Sequence, residues 1–407
     1  MKHQRPKNVS LDPQHFEPDE IARNAAEAPN KLKNFNPFKK EAYSILEPWE
    51  RKAIFRNAFW VILIAAVALV CCCAVLIRSQ NDVRDSWGTL LHIPEKTQAY
   101  YDEVTKNAVD VKTGTYVENI ETIDMKNSDF TVTFLLWFRW DGQDDLDMYN
   151  HFRLYDGKIQ SKELVSESKT GNTNYQLIRV AAKISKNFDS QRFPLESHIL
   201  RIFVESEYTA DLTKLTADTE DSSVNPSISI NGFNLVKHAV GTYAYRYNSN
   251  HGDPVLEGKG ADGALGAEMV TSLLINRSGW GLFLKCFVAL YGTLVFVIII
   301  LYINTYHRID PLGMIPSALF GAVANIMVGA NLLPDVLDMG LLEFVNFYGV
   351  FCILAVMLSV ISVNRIRSHF EDRYYAMVYG NVMYYTITAV IVIGNILLPL
   401  CAWQFTF

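Results

Sequence analysis

The 407-residue chain is predicted to fold as an all-β sandwich joined to an α-helical transmembrane bundle, and three observations predict it. Charge is partitioned: residues 1–79 hold 12 Lys/Arg and 8 Asp/Glu, residues 80–276 hold 19 and 29, and residues 277–407 hold only 6 and 6. A water-facing surface needs more charge than that last third carries. Five apolar segments punctuate the chain, one near 58–77 and four after Arg277. Between the first and the second of them the apolar period changes to two, the spacing of half-buried strands.

Residues 1–56 carry Pro6, Pro13, Pro18, Pro29 and Pro37 among charges, with no sustained periodicity, and are expected to be a disordered cytoplasmic segment. Ala58–Ile77, AFWVILIAAVALVCCCAVLI, is uncharged and flanked by Arg51, Lys52, Arg56 and Arg78. Its 20 residues suffice to cross about 30 Å of hydrocarbon, so residues 57–78 read as an N-terminal transmembrane helix. A cleaved signal peptide is the competing reading, which the long polar lead and the length of the apolar run disfavour.

Residues 79–276 form the polar middle domain. After a helix near Glu95–Asn107, Phe130–Trp140 places Phe130, Val132, Phe134, Leu136 and Phe138 on one face. Runs at 111–121, 150–155, 175–185, 197–205, 227–238, 239–247 and 264–275, separated by Gly, Asn, Asp and Ser clusters, complete the pattern of a sandwich. Residues 277–407 hold apolar segments near 281–303, 312–333, 341–363 and 382–403. Arg308 lies in one short connection and Arg365, Arg367 and Arg373 in another, whereas Asn331–Gly340 has no basic residue. The positive-inside rule then sets the N-terminus in the cytoplasm, residues 79–276 outside and the C-terminus outside after five crossings.

Several chemistries are excluded. An acidic middle and a net charge of −6 oppose nucleic-acid binding, which needs clustered Lys and Arg. Cys71, Cys72, Cys73, Cys286, Cys352 and Cys401 all sit in apolar stretches without paired zinc spacing, so neither a disulfide nor a thiolate metal site is expected in the middle domain. No GxSxG, GxxxxGK[ST], HExxH or Gly-rich dinucleotide turn occurs, and neither an enzyme activity nor a cofactor is expected. Asp141, Asp144, Asp145 and Asp147 lack calcium-loop spacing and read as a solvated acidic turn.

Two local patterns are more specific. Asn187–Val204, NFDSQRFPLESHILRIFV, runs from a charged turn through Arg192-Phe193-Pro194 into a strand, and the proline fixes an extended approach to it. His307-Arg308-Ile309-Asp310-Pro311 opens the 312–333 segment, with Asp310 suited to an N-cap and Pro311 to the first helical position.

With the order of segments, FDSQRFPLES and Gly321–Pro334 (GAVANIMVGANLLP), residues 110–407 resemble a pentameric ligand-gated ion channel of the Cys-loop receptor superfamily, in its prokaryotic form lacking the loop's cysteines. Tyr374–Phe407 is similar to the lipid-facing last helix of that family. The resemblance implies a homopentamer in a bacterial inner membrane, a periplasmic ligand-binding domain at 79–276 and a four-helix pore domain at 277–407. It also implies a small-molecule or proton agonist, a permeant ion, lipid contact and no nucleic acid. By the same resemblance Asp124, Glu196 and Arg277, with Pro194, form the gating-coupling cluster, and Leu312, Pro316, Leu319, Val323, Ile326 and Ala330 line the pore. Those six share one helical stripe on spacing alone. Conducting relatives carry Ser or Thr on the inner half of that stripe, where this chain has Leu312 and Pro316.

His307, Arg308 and Asp310 stand at the inner mouth, where an Arg ring favours anions and a His makes selectivity pH-dependent. Tyr243, Tyr245 and Tyr247 alternate before the Gly-rich 248–263 segment, where the family's capping loop lies, and with Trp140 offer aromatic faces to a cationic ligand. For Trp137 and Trp140 core packing is the stronger reading. The extra helix at 57–78 has no counterpart in the family and admits an alternative, a non-conducting membrane-anchored sensor or scaffold of the same fold.

Overall fold

The computed structural model describes residues 41–44, 46–246, 265–330, 339–369 and 373–403. After one helical turn at Glu41–Ser44 comes α1, Pro48–Thr89, a single helix of 42 residues. Pro48 sits at its first position, and Glu47 and Glu50 cap each other's backbone, which fixes where it starts. No proline interrupts residues 49–93, so nothing stops the helix at Arg78, where the apolar run ends. It therefore begins inside the stretch expected to lack order and ends well beyond residue 78.

Among the described residues, a short helix α2, Glu95–Val104, precedes ten strands: β1 Val109–Asp124, β2 Asp129–Asp141, β3 Phe152–Tyr155, β4 Gly157–Thr170, β5 Thr173–Ser185, β6 Ser197–Ser206, β7 Thr213–Ala217, β8 Ser223–Val224, β9 Phe233–Arg246 and β10 Leu265–Arg277. They form two sheets, ordered β4-β5-β2-β1-β7 with β8 on β1, and β3-β6-β10-β9. Phe130, Val132, Phe134, Leu136 and Phe138 are fully buried, as their alternation predicts, and the Thr115 and Thr271 hydroxyls bond between the sheets at 2.6 Å. The stretches 227–238 and 239–247 contribute to one strand, β9, paired along its length with β10. Strand β4 carries almost no apolar alternation because it is an exposed sheet edge, held by its ladder to β5.

Among the described residues, four helices are long and apolar enough to cross a membrane: Pro48–Thr89, Gly281–His307, Leu341–Ser368 and Tyr374–Ala402. The apolar helix at Leu312–Met327 is shorter. In the bundle, α3 (Gly281–Tyr302) ends in a π-helical turn, Ile303–His307, and α4 (Ile315–Ala330) follows a 3-10 turn, Leu312–Met314. The N-cap of that 3-10 turn is Pro311, one residue later than expected, and the Asp310 carboxylate before it accepts from the Leu312 amide at 3.1 Å. Helices α5 (Leu341–His369) and α6 (Arg373–Ala402) complete it, with α1 packed mainly against α6. Strand β10 runs into α3 through Ser278–Trp280, which ties the sheet covalently to the bundle.

Candidate functional site

The first cluster lies where the sandwich meets the bundle. The loop between β5 and β6 contains the cis Phe193–Pro194 bond and delivers Glu196, at 1% exposure, to the base of β6. Arg277, the last residue of β10, donates its Nε to Glu196 Oε1 at 2.6 Å. Its guanidinium lies 4.1 Å from the Phe233 ring centroid and 5.7 Å from that of Phe193. The expected Glu196–Arg277 pair therefore forms, with Pro194 in the loop beside it. Asp124 does not join them: its carboxylate accepts from the backbone and side chain of Asn127, and Met125 Sδ is what the β1–β2 turn presents to Arg277, at 3.3 Å.

Two further ionisable side chains, His198 and Arg192, stand in this cluster, and sequence reasoning assigns neither of them a role there. His198 is buried between the Phe188 and Phe233 rings, with Nε2 3.9 Å from Glu196 Oε1, longer than a hydrogen bond. Burial lowers its basicity more than Glu196 restores it, so its pKa falls below the ordinary histidine value. Burial pushes the Glu196 carboxyl up, but His198 and Arg277 outweigh it and hold the group below the ordinary range. Arg192, 1% exposed, has neither terminal nitrogen hydrogen-bonded, and the nearby Asp189 and Glu196 only partly offset the cost of burying it. The loop itself rests on the bundle through the Leu341 amide, which donates to Gln191 O at 2.7 Å. Gly340 permits that approach, since a Cβ there would lie 2.4 Å from the same carbonyl.

The second cluster occupies the outward face of the β3-β6-β10-β9 sheet. Cross-strand register places Arg153 opposite Glu205, Glu205 opposite Glu268, and Glu268 opposite Tyr243. Arg153 Nε donates to Glu205 Oε2 at 2.8 Å. Glu268 is 1% exposed and its Oε1 has no hydrogen-bond partner. Burial, then the Glu205 charge, push its carboxyl up to about 8. Tyr243 and Tyr245 stack at 6.2 Å, and Tyr155 meets Tyr245 edge-on at 5.8 Å. Glycine at 266 leaves room for this packing, because a Cβ there would sit 2.9 Å from the Tyr245 ring and 3.2 Å from Glu205 Oε1. Tyr247 lies outside the described residues. Trp140 is elsewhere, buried on β2 with its indole N–H on Gln143 O at 3.1 Å, and Trp137 donates to Asp218. Among the expected aromatic residues, Tyr243 and Tyr245 thus come together and Trp140 does not. The cluster combines a carboxylate paired with Arg153, a buried carboxyl raised to about 8 and three neighbouring phenols.

The third feature is α4. Ile315, Ala318, Ala322 and Asn325 turn into the bundle, Leu312 and Leu319 are half-buried, and Pro316, Val323 and Ile326 are exposed. Only the backbone placement of Ala330 is described. The open face also takes in Ser317, Phe320, Ala324 and Met327, so it is wider than the six-residue stripe, centred toward Phe320, and carries one hydroxyl on its inner half. His307 and Arg308 are exposed at the far end of the bundle, Arg308 in a left-handed conformation with φ 58°. Asp310 is drawn toward α5, accepting from Asn364 Nδ2 at 2.8 Å. Among the described residues no group of three or more His, Cys, Asp or Glu side chains is arranged to hold a metal. No protein-family model matches this chain, and no curated protein matches it.

Proposed function

We propose that the chain is one subunit of a homopentameric ligand-gated ion channel, with the sandwich outside a cell membrane, α4 lining an axial path and a small organic cation as agonist. The observation that carries this reading is the Arg277–Glu196 bond. It joins the loop between β5 and β6 to the strand that continues into the first bundle helix, so a rearrangement of the sandwich has a mechanical route to the helices. Two further observations support it. The open apolar face of α4 needs a covering, which four more copies of the same helix would supply around an axis. Glu268, once ionised, offers an amine a charge that Arg153 does not already take, and Tyr155, Tyr243 and Tyr245 beside it offer aromatic faces.

In this mechanism the agonist's positive charge favours the ionised form of Glu268, whose proton passes to solvent, and the resulting ion pair tightens the β3-β6-β10-β9 sheet and shifts the loop carrying Glu196. Arg277 passes the shift to α3, and α4 tilts. Rings of Leu319 and Val323 gate by dewetting, with Ser317 offering a hydroxyl on the inner half of the same open face. The test is current through planar bilayers containing the purified protein while ethylamine and pH are varied. Leu319→Ser should raise open probability severalfold by wetting one of the apolar rings. Stable pentamers that stay silent with this substitution, under every ligand and pH tried, would replace the channel with a non-conducting membrane-anchored sensor.

A further inference from the structure

Helix α1 is about 63 Å long at the usual helical rise, roughly twice what hydrocarbon requires. Its membrane half is fixed by one stripe. Ile54, Ala58, Ala65, Leu69, Cys73 and Leu76 are all buried at helical spacing, whereas Phe59, Trp60, Ile64 and Val67 on the other side are exposed. At the end far from the sandwich, Asn57 Nδ2 donates to the Tyr379 hydroxyl of α6 at 3.0 Å and the Trp49 ring meets Tyr375 edge-on. The buried stripe does not stop at the last apolar residue. Ser79 continues it, buried to 2% exposure, and its hydroxyl donates to Asp189 Oδ2 at 2.7 Å.

Asp189 belongs to the loop that carries Glu196. Its other carboxylate oxygen accepts from the Gln191 amide at 2.9 Å, and Gln191 O in turn receives the Leu341 amide of α5. Above this loop the helix follows the outward face of the sheet. Arg201 of β6 donates to Ser86 O, close to the helix C-terminus, where carbonyls begin to lack intrahelical donors. Lys237 of β9 sits 4.5 Å over the Trp87 ring. The backbone just past the helix lies so close to β9 that a Cβ at Gly241 would be 2.1 Å from Leu91 O. Gly241 pairs with Val270, and one step along the same face come Tyr243 and Glu268. One unbroken helix thus touches the bundle, the junction loop and the sheet immediately below the carboxylate pair.

We propose that α1 is a regulatory strut, a rigid rod whose Ser79–Asp189 and Arg201–Ser86 bonds set the balance between two positions of the 187–196 loop. A movement of that loop relative to the bundle, or of the sheet relative to the loop, must either break these bonds or carry α1 with it. A force applied at the Pro48 end of the rod reaches the loop without passing through α3 or α4. The regulatory role rests on the channel reading; the clamp itself does not.

The experiment uses the full chain, with Ser79→Ala, Asp189→Ala and the double variant, and Asn81→Ala on the exposed side of α1 as control. Two quantities are read: the ethylamine concentration giving half-maximal current in planar bilayers, and amide hydrogen exchange across residues 187–196 in detergent. The strut requires each single variant to shift half-activation by about threefold or more, the double variant to shift it no further than the larger single, and loop exchange to speed up by a similar factor. Asn81→Ala should change neither. Unaltered half-activation in Ser79→Ala overturns the regulatory strut, and unaltered exchange overturns the clamp. A wild type that carries no current while Ser79→Ala still speeds loop exchange sinks the channel reading and leaves the clamp standing.

Discussion

Arg277 reaches Glu196 with a single Nε donor at 2.6 Å while its guanidinium rests on the Phe233 ring, so the pair is held by an aromatic wall as well as by charge. The carboxylate is 1% exposed and its Oε2 has no partner, which makes it a charge kept inside by one bond. Such pairs add little net stability when whole, yet are expensive to break on one side.

From this it follows that Arg277→Gln should destabilise the protein more than the joint change Arg277→Gln with Glu196→Gln. The single change strands a buried carboxylate, at a cost of about 3–5 kcal/mol. The joint change removes both charges and leaves two amides able to bond each other. Thermal unfolding of the detergent-solubilised protein decides it. A joint variant no more stable than Arg277→Gln would mean that the pair is not what Glu196 depends on.

Glu268 gives the pH dependence a sign. Burial, then Glu205, raise its carboxyl to about 8 from the ordinary value of 4.5. Between those two pH values the folded chain holds a proton that the unfolded chain has released, so stability falls as pH rises through that window. Below it the contribution is fully present, and above about pH 8 it is gone. Glu268→Gln keeps the hydrogen-bonding shape without the titration and should flatten the unfolding midpoint between about pH 5 and pH 8. An amine that binds the ionised carboxylate should bind more tightly as pH rises across the same range, and should lose that dependence in Glu268→Gln. Isothermal titration at several pH values reads it. An equally steep pH dependence in the variant would assign it to another group.

The parts of this molecule that could be read from the chain are those in which the signal is local. The alternation of Phe130 to Phe138 buries as written because one strand, β2, carries it whole. The Phe-Pro segment, expected to be extended, is instead a pair of turns, with Leu195 N on Arg192 O at 2.7 Å, yet it still brings Glu196 to Arg277. Glu268 had no such signal. It is a lone acid in a strand buried on both faces, and its environment comes from Glu205 and Tyr243 on neighbouring strands, set by register across residues far apart in sequence. His198 and Ser79 were hidden for the same reason, each owing its setting to a contact with another element. Asp124 shows the converse. A charge in the right turn was placed by analogy near Arg277, but its own turn satisfied it first through Asn127.

Within the bundle, Asn325 on α4 and Asn346 on α5 are both buried, and Asn325 Nδ2 donates to Asn346 Oδ1 at 2.8 Å. Asn346 Nδ2 is also engaged, donating to Leu342 O at 2.8 Å. In an apolar bundle such a pair specifies which residues of the two helices face each other, and it is worth about 0.6–2 kcal/mol. Asn346→Leu removes the acceptor and leaves the Asn325 amide with no partner inside hydrocarbon. Asn325→Leu removes the donor but leaves Asn346 its bond to Leu342. The first change should therefore lower the unfolding midpoint more than the second. Replacing both with Leu should recover part of the loss, since no polar group is then stranded. Midpoints for the two single variants and the double one test this as a cycle. If the two losses are equal and simply add, the pair contributes no coupling and the orientation of α4 rests on Ile315, Ala318 and Ala322 alone.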